Sequence, residues 1–181
     1  MTYPHKVNAL DSDEMEMSKP VAELRGEDDL PEFVDVAGRQ IAMLRRAGRA
    51  PGLMWLGGFR SDMTASKASA VDGFGASHGL AVTRFDYSGH GQSGGDFNAG
   101  TIGRWLEEAL AVFETTAGPQ ILIGSSMGGW ISLLLIRALR ARGIERVHGL
   151  VLIAPATDMT ELIVAQMPKK YRTMLDRQGF V

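Results

Sequence analysis

The sequence predicts an α/β protein, a mainly parallel sheet with helices on both faces. Three observations carry this expectation. Apolar runs of strand length recur at 52–56, 80–85, 120–123 and 147–154. Longer stretches with apolar residues at helical spacing lie between them. Glycine and proline punctuate the joins, at Gly57-Gly58, Gly79, Gly118-Pro119 and Gly143. Strands that alternate with helical stretches need crossover connections, and crossovers give parallel pairing. Uninterrupted apolar strands are the kind buried on both faces.

The elements follow in order. Residues 1–31 hold eight acids against three Lys/Arg, a net of −5, and read as a solvated acidic leader. A true start at Met15 or Met17 is the sharper alternative. Residues 32–36 alternate, Ala37-Gly38-Arg39 supplies a turn, and 40–44 makes a second strand, which together predict a hairpin. A basic loop is expected at 45–51, then a buried strand at 52–56. Ser61 or Asp62 is expected to cap a helix that runs to about His78 and stops at Gly79. Gly73 and Gly75 inside it each cost about 1 kcal/mol relative to Ala. After the strand at 80–85, a glycine-rich loop leads to Thr101. Thr101 caps a helix through Thr116, with Trp105, Leu106, Ala109, Leu110 and Phe113 as its buried stripe. The helix after 120–123 runs to Arg142, with Gly143 just beyond its end. The last strand is 147–154, and 161–179 is helical with a break at Pro168.

Composition excludes several classes. The chain is 45% hydrophobic and 22% charged, ordinary for one globular domain with a core. A net charge of −2 makes no case for nucleic acid. No run approaches membrane-spanning length. There is no cysteine, which excludes disulfides, thiol catalysis and Cys-ligated metal. With no apolar signal-peptide core and an acidic stretch at 11–29, the expected compartment is the cytoplasm.

The chemistry centres on Gly124-Ser125-Ser126-Met127-Gly128. A short apolar strand stops there and a helix starts at once, the setting of a nucleophile elbow, Gly-x-Ser-x-Gly. Only Ser126 has glycines two before and two after it. Ser125 would need them at Ile123 and Met127, so it is not the nucleophile. An oxyanion hole combines the N–H of the residue after the serine, Met127, with one from an earlier loop. Gly57-Gly58-Phe59 fits that loop, with Phe59 as the donor; the bland alternative is a plain strand-to-helix turn.

The base is harder to find. His5 lies in the leader, His78 ends a helix, and His148 starts the last strand, roughly 20 Å from the elbow side. Only His90 follows the C-terminal end of a strand, where sites of open α/β sheets lie. A loop-stabilising role is the commoner fate of such a residue. Asp158 follows the last strand and stands open as an orienting acid or as a turn residue. Gly89-His90-Gly91-Gln92-Ser93-Gly94 matches Gly-x-Gly-x-x-Gly, but no helix opens on those glycines, so it reads as a decoy for nucleotide binding. Arg137, Arg140, Arg142 and Arg146 read as a solvated helix end. Leu162, Met167 and Met174 are open as an acyl pocket or as ordinary packing. No His/Asp/Glu cluster has metal spacing, and no cofactor is expected.

Four segments together carry a resemblance: Leu56-Gly57-Gly58-Phe59-Arg60-Ser61-Asp62-Met63, Phe85-Asp86-Tyr87-Ser88-Gly89-His90-Gly91-Gln92-Ser93, Gly124-Ser125-Ser126-Met127-Gly128-Gly129-Trp130 and Leu152-Ile153-Ala154-Pro155-Ala156. They resemble the α/β-hydrolase superfamily, and more narrowly its branch containing mitochondrial palmitoyl-protein thioesterase/acyl-glucuronide esterase and bacterial relatives. The likeness covers about 32–181. It implies the α/β-hydrolase fold, Ser126 as nucleophile and the Phe59 and Met127 amides as oxyanion hole. It also implies a core at 32–160 and the start of a lid at 161–181. In that family the acid follows a later strand and the histidine follows the last one. The resemblance therefore implies the N-terminal portion of a longer hydrolase, inactive alone and lacking its last strands, with both residues beyond Val181.

The expected function is hydrolysis of a small acyl ester or thioester through an acyl-enzyme on Ser126. Neither nucleic acid nor membrane is an expected partner, and an exposed sheet edge is expected to favour dimers or aggregates. One rival reading is a non-catalytic α/β-hydrolase-like binding module. Another is a complete compact enzyme using Ser126, His90 and Asp158.

Overall fold

The computed structural model describes residues 30–178. The acidic leader (except its last two residues), with His5, Met15 and Met17, lies outside the described residues. Six strands form one sheet: β1 (Glu32–Val36), β2 (Arg39–Arg46), β3 (Arg49–Leu56), β4 (Leu80–Phe85), β5 (Gln120–Ser125) and β6 (Val147–Ile153). Their order is β1-β2-β4-β3-β5-β6. The β1–β2 and β2–β4 pairs are antiparallel, and the β4–β3, β3–β5 and β5–β6 pairs are parallel. The crossovers are α1 (Ser66–His78), α2 (Ile102–Glu114) and α3 (Met127–Ala141), and α4 (Met159–Gln166) and α5 (Lys169–Gln178) follow β6. This is the mainly parallel α/β sheet that the alternation predicts.

The strand pleat sorts the core into two layers. Met43, Met54, Leu56, Phe85 and Leu122 face the α2–α3 layer, against Trp105, Phe113, Ile131 and Leu135. Ala42 and Leu44, one residue out of phase, pack with Met63 on the opposite face. Buried Ala68 and Gly75 place α1 on that second face. Gly75 is small for a reason, since a Cβ there would strike Val82 of β4.

Three boundaries differ from expectation. Helix α1 starts at Ser66, behind an Ala65 cap, because Asp62 is already used. Its Oδ1 accepts the Thr64 N–H at 2.8 Å and the Thr64 hydroxyl at 2.6 Å, closing a turn in place of a helix cap. These donors hold the Asp62 carboxyl below its ordinary range. Strands β2 and β3 run further than expected and shrink the basic loop to two residues, because its arginines are anchored. Arg46 pairs bidentately with Asp72 of α1 at 2.7 and 3.0 Å, and the Arg49 N–H donates to the Gly79 carbonyl. The break at Pro168 appears as expected, between α4 and α5. Gly79 and Gly143 take left-handed φ values of 64° and 69° just past α1 and α3, as helix stops should.

The arginines after α3 are not merely solvated. Arg146 donates to the carbonyls of Phe113, Thr116 and Gly118 and stacks on the Phe113 ring at 4.4 Å. It thereby satisfies carbonyls left over at the C-terminal end of α2. Arg142 pairs with Glu114 at 2.8 Å. At the opposite edge of the sheet from β1, β6 is apolar yet open, with Val151 46% and Leu152 37% exposed.

Leu122 sits completely buried in β5, the strand that carries the elbow. Leu122→Ala is expected to cost about 2–5 kcal/mol, read as a lower urea midpoint at an unchanged slope.

Candidate active site

The turn between β5 and α3 is a single residue, Ser126, at φ 53° and ψ −118°. A side chain in this region is strained by contact with its own backbone, and such strain persists only where neighbours over-determine it. Here they do. The Ser126 N–H donates to the Ile153 carbonyl at 2.9 Å, and the Ser126 carbonyl accepts from Gly129 at 3.0 Å and Ala156 at 3.1 Å. The flanking glycines give way to backbone. A Cβ on Gly124 would meet the Gly128 carbonyl and the Ser132 hydroxyl, and one on Gly128 would strike the Leu56 and Gly57 carbonyls. Ser126 is half-buried and Ser125 is buried at 8% exposure.

Met127 opens α3, so its N–H is among the first amides of the helix, which have no partner inside it and carry the positive end of its dipole. The loop after β3 comes alongside. A Cβ on Gly58 would stand 3.4 Å from that of Ser126 and 3.3 Å from the Ser125 carbonyl. The next amide, Phe59, thus belongs to the segment beside the serine. The structure brings Ser126, Met127 and the 57–59 loop together, as the sequence pattern suggests.

It brings none of the described histidines into hydrogen bonding with Ser126. His90 is buried, its Nδ1 lies 3.2 Å from the Ser88 carbonyl, and its Nε2 has no partner. A carbonyl only accepts, so Nδ1 carries the hydrogen. The ring packs with Phe97 at 5.1 Å, Trp105 at 5.3 Å and Phe59 at 6.3 Å. His78 stacks on Phe74 at the end of α1, and His148 is exposed at the start of β6. Asp158 begins α4 without a side-chain cap bond, two residues from the Ala156 that holds Ser126.

The Gly-x-Gly-x-x-Gly loop serves packing. A Cβ on Gly89 would strike the Phe97 backbone, and one on Gly91 the Asp86 carboxylate. Leu162 is 50% exposed, and neither Met167 nor Met174 is fully buried. A cavity of about 780 Å³ lies at the other end of the strands, among Arg46, Gly52, Asp72, Arg84 and Gln120. Among the described residues no group of three or more His, Asp or Glu is placed to hold a metal ion, and no helix is long and apolar enough to cross a membrane.

Sequence reasoning missed two buried acids. Glu108 lies on the buried face of α2 and is completely buried. It accepts from Arg39 at 2.7 Å and from the Ser88 N–H at 2.9 Å. Its place beside Trp105 and Val112 at helical spacing was a usable signal, since an acid on an apolar stripe needs a partner. Asp86 is 98% buried and receives the N–H groups of Met63 and Gln92.

Comparison with known proteins settles the family. Residues 68–178 match the serine aminopeptidase family S33, Hydrolase_4. The chain belongs to that family, within the α/β-hydrolase superfamily. It is 37% identical over 140 residues to the mitochondrial palmitoyl-protein thioesterase ABHD10 of Homo sapiens, and 44% identical over 140 residues to that of Mus musculus. Those matches cover 77% of this chain but only 44% and 46% of the two relatives, so the chain spans about half their length. Among solved structures, a hydrolase from Agrobacterium vitis S4 superposes with a TM-score of 0.74 at 48% identity, covering 83% of this chain and 61% of that one. The mouse α/β-hydrolase domain-containing protein 10 gives 0.71 at 35% identity, covering 83% and 59%.

The mammalian relatives are named as mitochondrial, which overturns the cytoplasmic expectation. A lack of cysteine limits the redox chemistry open to a chain but does not distinguish one reducing compartment from another.

The glycine contacts predict a contrast. Gly128→Ala is expected to lower the melting temperature, because two backbone carbonyls block its Cβ. Gly73→Ala, with nothing within 4 Å, is expected to gain about 0.5–1 kcal/mol. Thermal unfolding of the two variants checks both signs.

Proposed function

We propose that the protein is a serine hydrolase that cleaves carboxylic ester or thioester bonds through an acyl-enzyme on Ser126. The observation that carries this is the strained, glycine-flanked Ser126 between β5 and α3, with the 57–59 loop beside it. The Ser126 Oγ attacks the acyl carbon and its proton passes to a base. Negative charge gathers on the carbonyl oxygen, facing the Met127 and Phe59 N–H groups. The C–O or C–S bond then breaks, the protonated alcohol or thiol leaves, and water releases the acid by the same route reversed. Each oxyanion donor of this kind is worth about 2.7–4 kcal/mol in the transition state. The proposed substrate is a small acyl ester or acyl thioester, and the thioesterase names of the relatives support the thioester.

We assign the base and its orienting acid to none of the described residues, because none of their histidines hydrogen-bonds to Ser126. That same observation favours the second reading, a non-catalytic α/β-hydrolase-like module that binds acyl compounds without turning them over. Exposure of the full native polypeptide to a fluorophosphonate separates the two readings. Covalent labelling at Ser126 supports the hydrolase, and an unlabelled Ser126 in folded protein supports the module. Ser126→Ala in the full polypeptide is expected to abolish labelling and to lower ester or thioester turnover by ~10⁶-fold. Unchanged turnover in that variant would sink the assignment.

A further inference from the structure

The loop between β3 and α1 has two fixed ends. It leaves the sheet at Leu56, and it returns at Met63, whose side chain is completely buried. The Met63 backbone is gripped from both sides. Its N–H donates to Asp86 Oδ1 at 2.7 Å, and its carbonyl accepts from Arg84 Nη1 at 3.2 Å. Between those ends lie Gly58, packed against Ser126, and the Phe59 amide.

Asp86 is itself rigidly held. Its N–H donates to the Ala42 carbonyl at 3.0 Å, and its carbonyl accepts from the Ser93 hydroxyl at 2.6 Å. That hydroxyl also accepts the Ala42 N–H at 2.8 Å, which ties the loop after β4 to β2. The second carboxylate oxygen of Asp86 accepts the Gln92 N–H at 2.8 Å. Gly91 passes so close that any side chain there would strike this carboxylate. The glycine pattern of this loop therefore makes room for a buried acid.

We propose that Asp86 is a positioning residue for the oxyanion hole, its carboxylate fixing the 57–63 loop so that the Phe59 N–H faces the acyl oxygen at Ser126. This rests on the acyl-enzyme reading above. A carboxylate suits the task because two N–H donors meet two acceptor oxygens. Asparagine of the same shape offers one oxygen and one NH₂, so one of the two backbone donors would face another donor.

Burial raises the Asp86 carboxyl above its ordinary range; Gln92 and Met63 N–H groups oppose this, Asp62 adds to it, and His90 opposes it. Arg84 is the remaining charge on the strand and reaches the Met63 carbonyl. Because the folded value is raised, Asp86 binds its proton more tightly folded than unfolded. The charged clamp thus opposes stability above the folded value, and that cost is relieved as acid protonates the group. Protonation also turns one acceptor into a donor, so the 57–63 loop loosens at a pH where ordinary aspartates are still charged.

The test uses the full native polypeptide, Asp86→Asn, and an ester substrate. The expected result is a fall in kcat of about 10- to 100-fold with KM within about threefold, the signature of a donor displaced from the transition state. Log kcat against pH is expected to fall with a slope approaching two on the acid side in wild type, and one in Asp86→Asn. If Asp86→Asn does not fold, wild type alone decides. The Met63 and Phe59 amide proton shifts should titrate together, with a midpoint above the ordinary aspartate range. Asp86→Asn with kcat within twofold of wild type overturns the proposal, as do Met63 and Phe59 amides that titrate separately or not at all. A wild type that neither turns over ester nor labels at Ser126 overturns the acyl-enzyme reading itself, an outcome distinct from an active wild type with an indifferent Asp86.

Discussion

Four backbone segments meet around Ser126: the end of β5, the start of α3, the loop after β3 and the loop after β6. Their crowding is the constraint on which the site depends. A residue at φ 53° is strained when isolated, so its conformation must be imposed from outside. The imposition is made of main-chain hydrogen bonds to Ile153, Gly129 and Ala156, and of close approaches that only glycine permits. Gly124, Gly128 and Gly129 are small for three separate reasons, since each faces a different segment. Gly124 meets the first turn of α3, Gly128 meets the end of β3, and Gly129 meets Pro155. The Gly-x-Ser-x-Gly spacing is thus the trace, in one short stretch, of contacts with the first turn of α3 and the end of β3.

Buried acids do for the loops what glycines do for the turn. Glu108 ties Arg39 of the hairpin to Ser88 of the loop after β4, and Asp86 ties that loop to Met63. Each carboxylate meets at least two donors, which offsets the cost of leaving water. The antiparallel pair β1–β2 is more than an appendage to the parallel sheet. It is bonded through Arg39, Ala42 and Ser93 to the loops that shape the site.

Much of this was legible in the sequence. Periodicity and glycine stops gave the strands and helices, because they report local propensity and burial. The elbow was legible because its constraint is steric and confined to five residues. The start of α1 was not, since Asp62 and Thr64 form a turn that competes with the helix cap. The ends of β2 and β3 were not, because arginines read as loop residues are held by Asp72 and Gly79, far away in sequence. Asp86 and Glu108 went unnoticed for the same reason, that a buried acid is defined by donors from other elements.

The strain at Ser126 is not equally supported on all sides. β3, β5 and α3 hold it from within the core, where Leu56, Leu122, Met127 and Ile131 are fully buried. The fourth support is β6, whose Ile153 carbonyl accepts the Ser126 N–H while its Val151, Leu152 and Ile153 side chains are exposed and only Val147 and Leu150 pack on the core. Segments with few buried apolar contacts open locally at lower free energy than the core. Release of β6 would remove one hydrogen bond at the nitrogen of Ser126 and, through Ala156, another at its oxygen. The geometry of the elbow is therefore coupled to the cover of this edge. Anything that buries Val151 and Leu152 raises the free energy needed to release the strand, and with it the persistence of the strained serine.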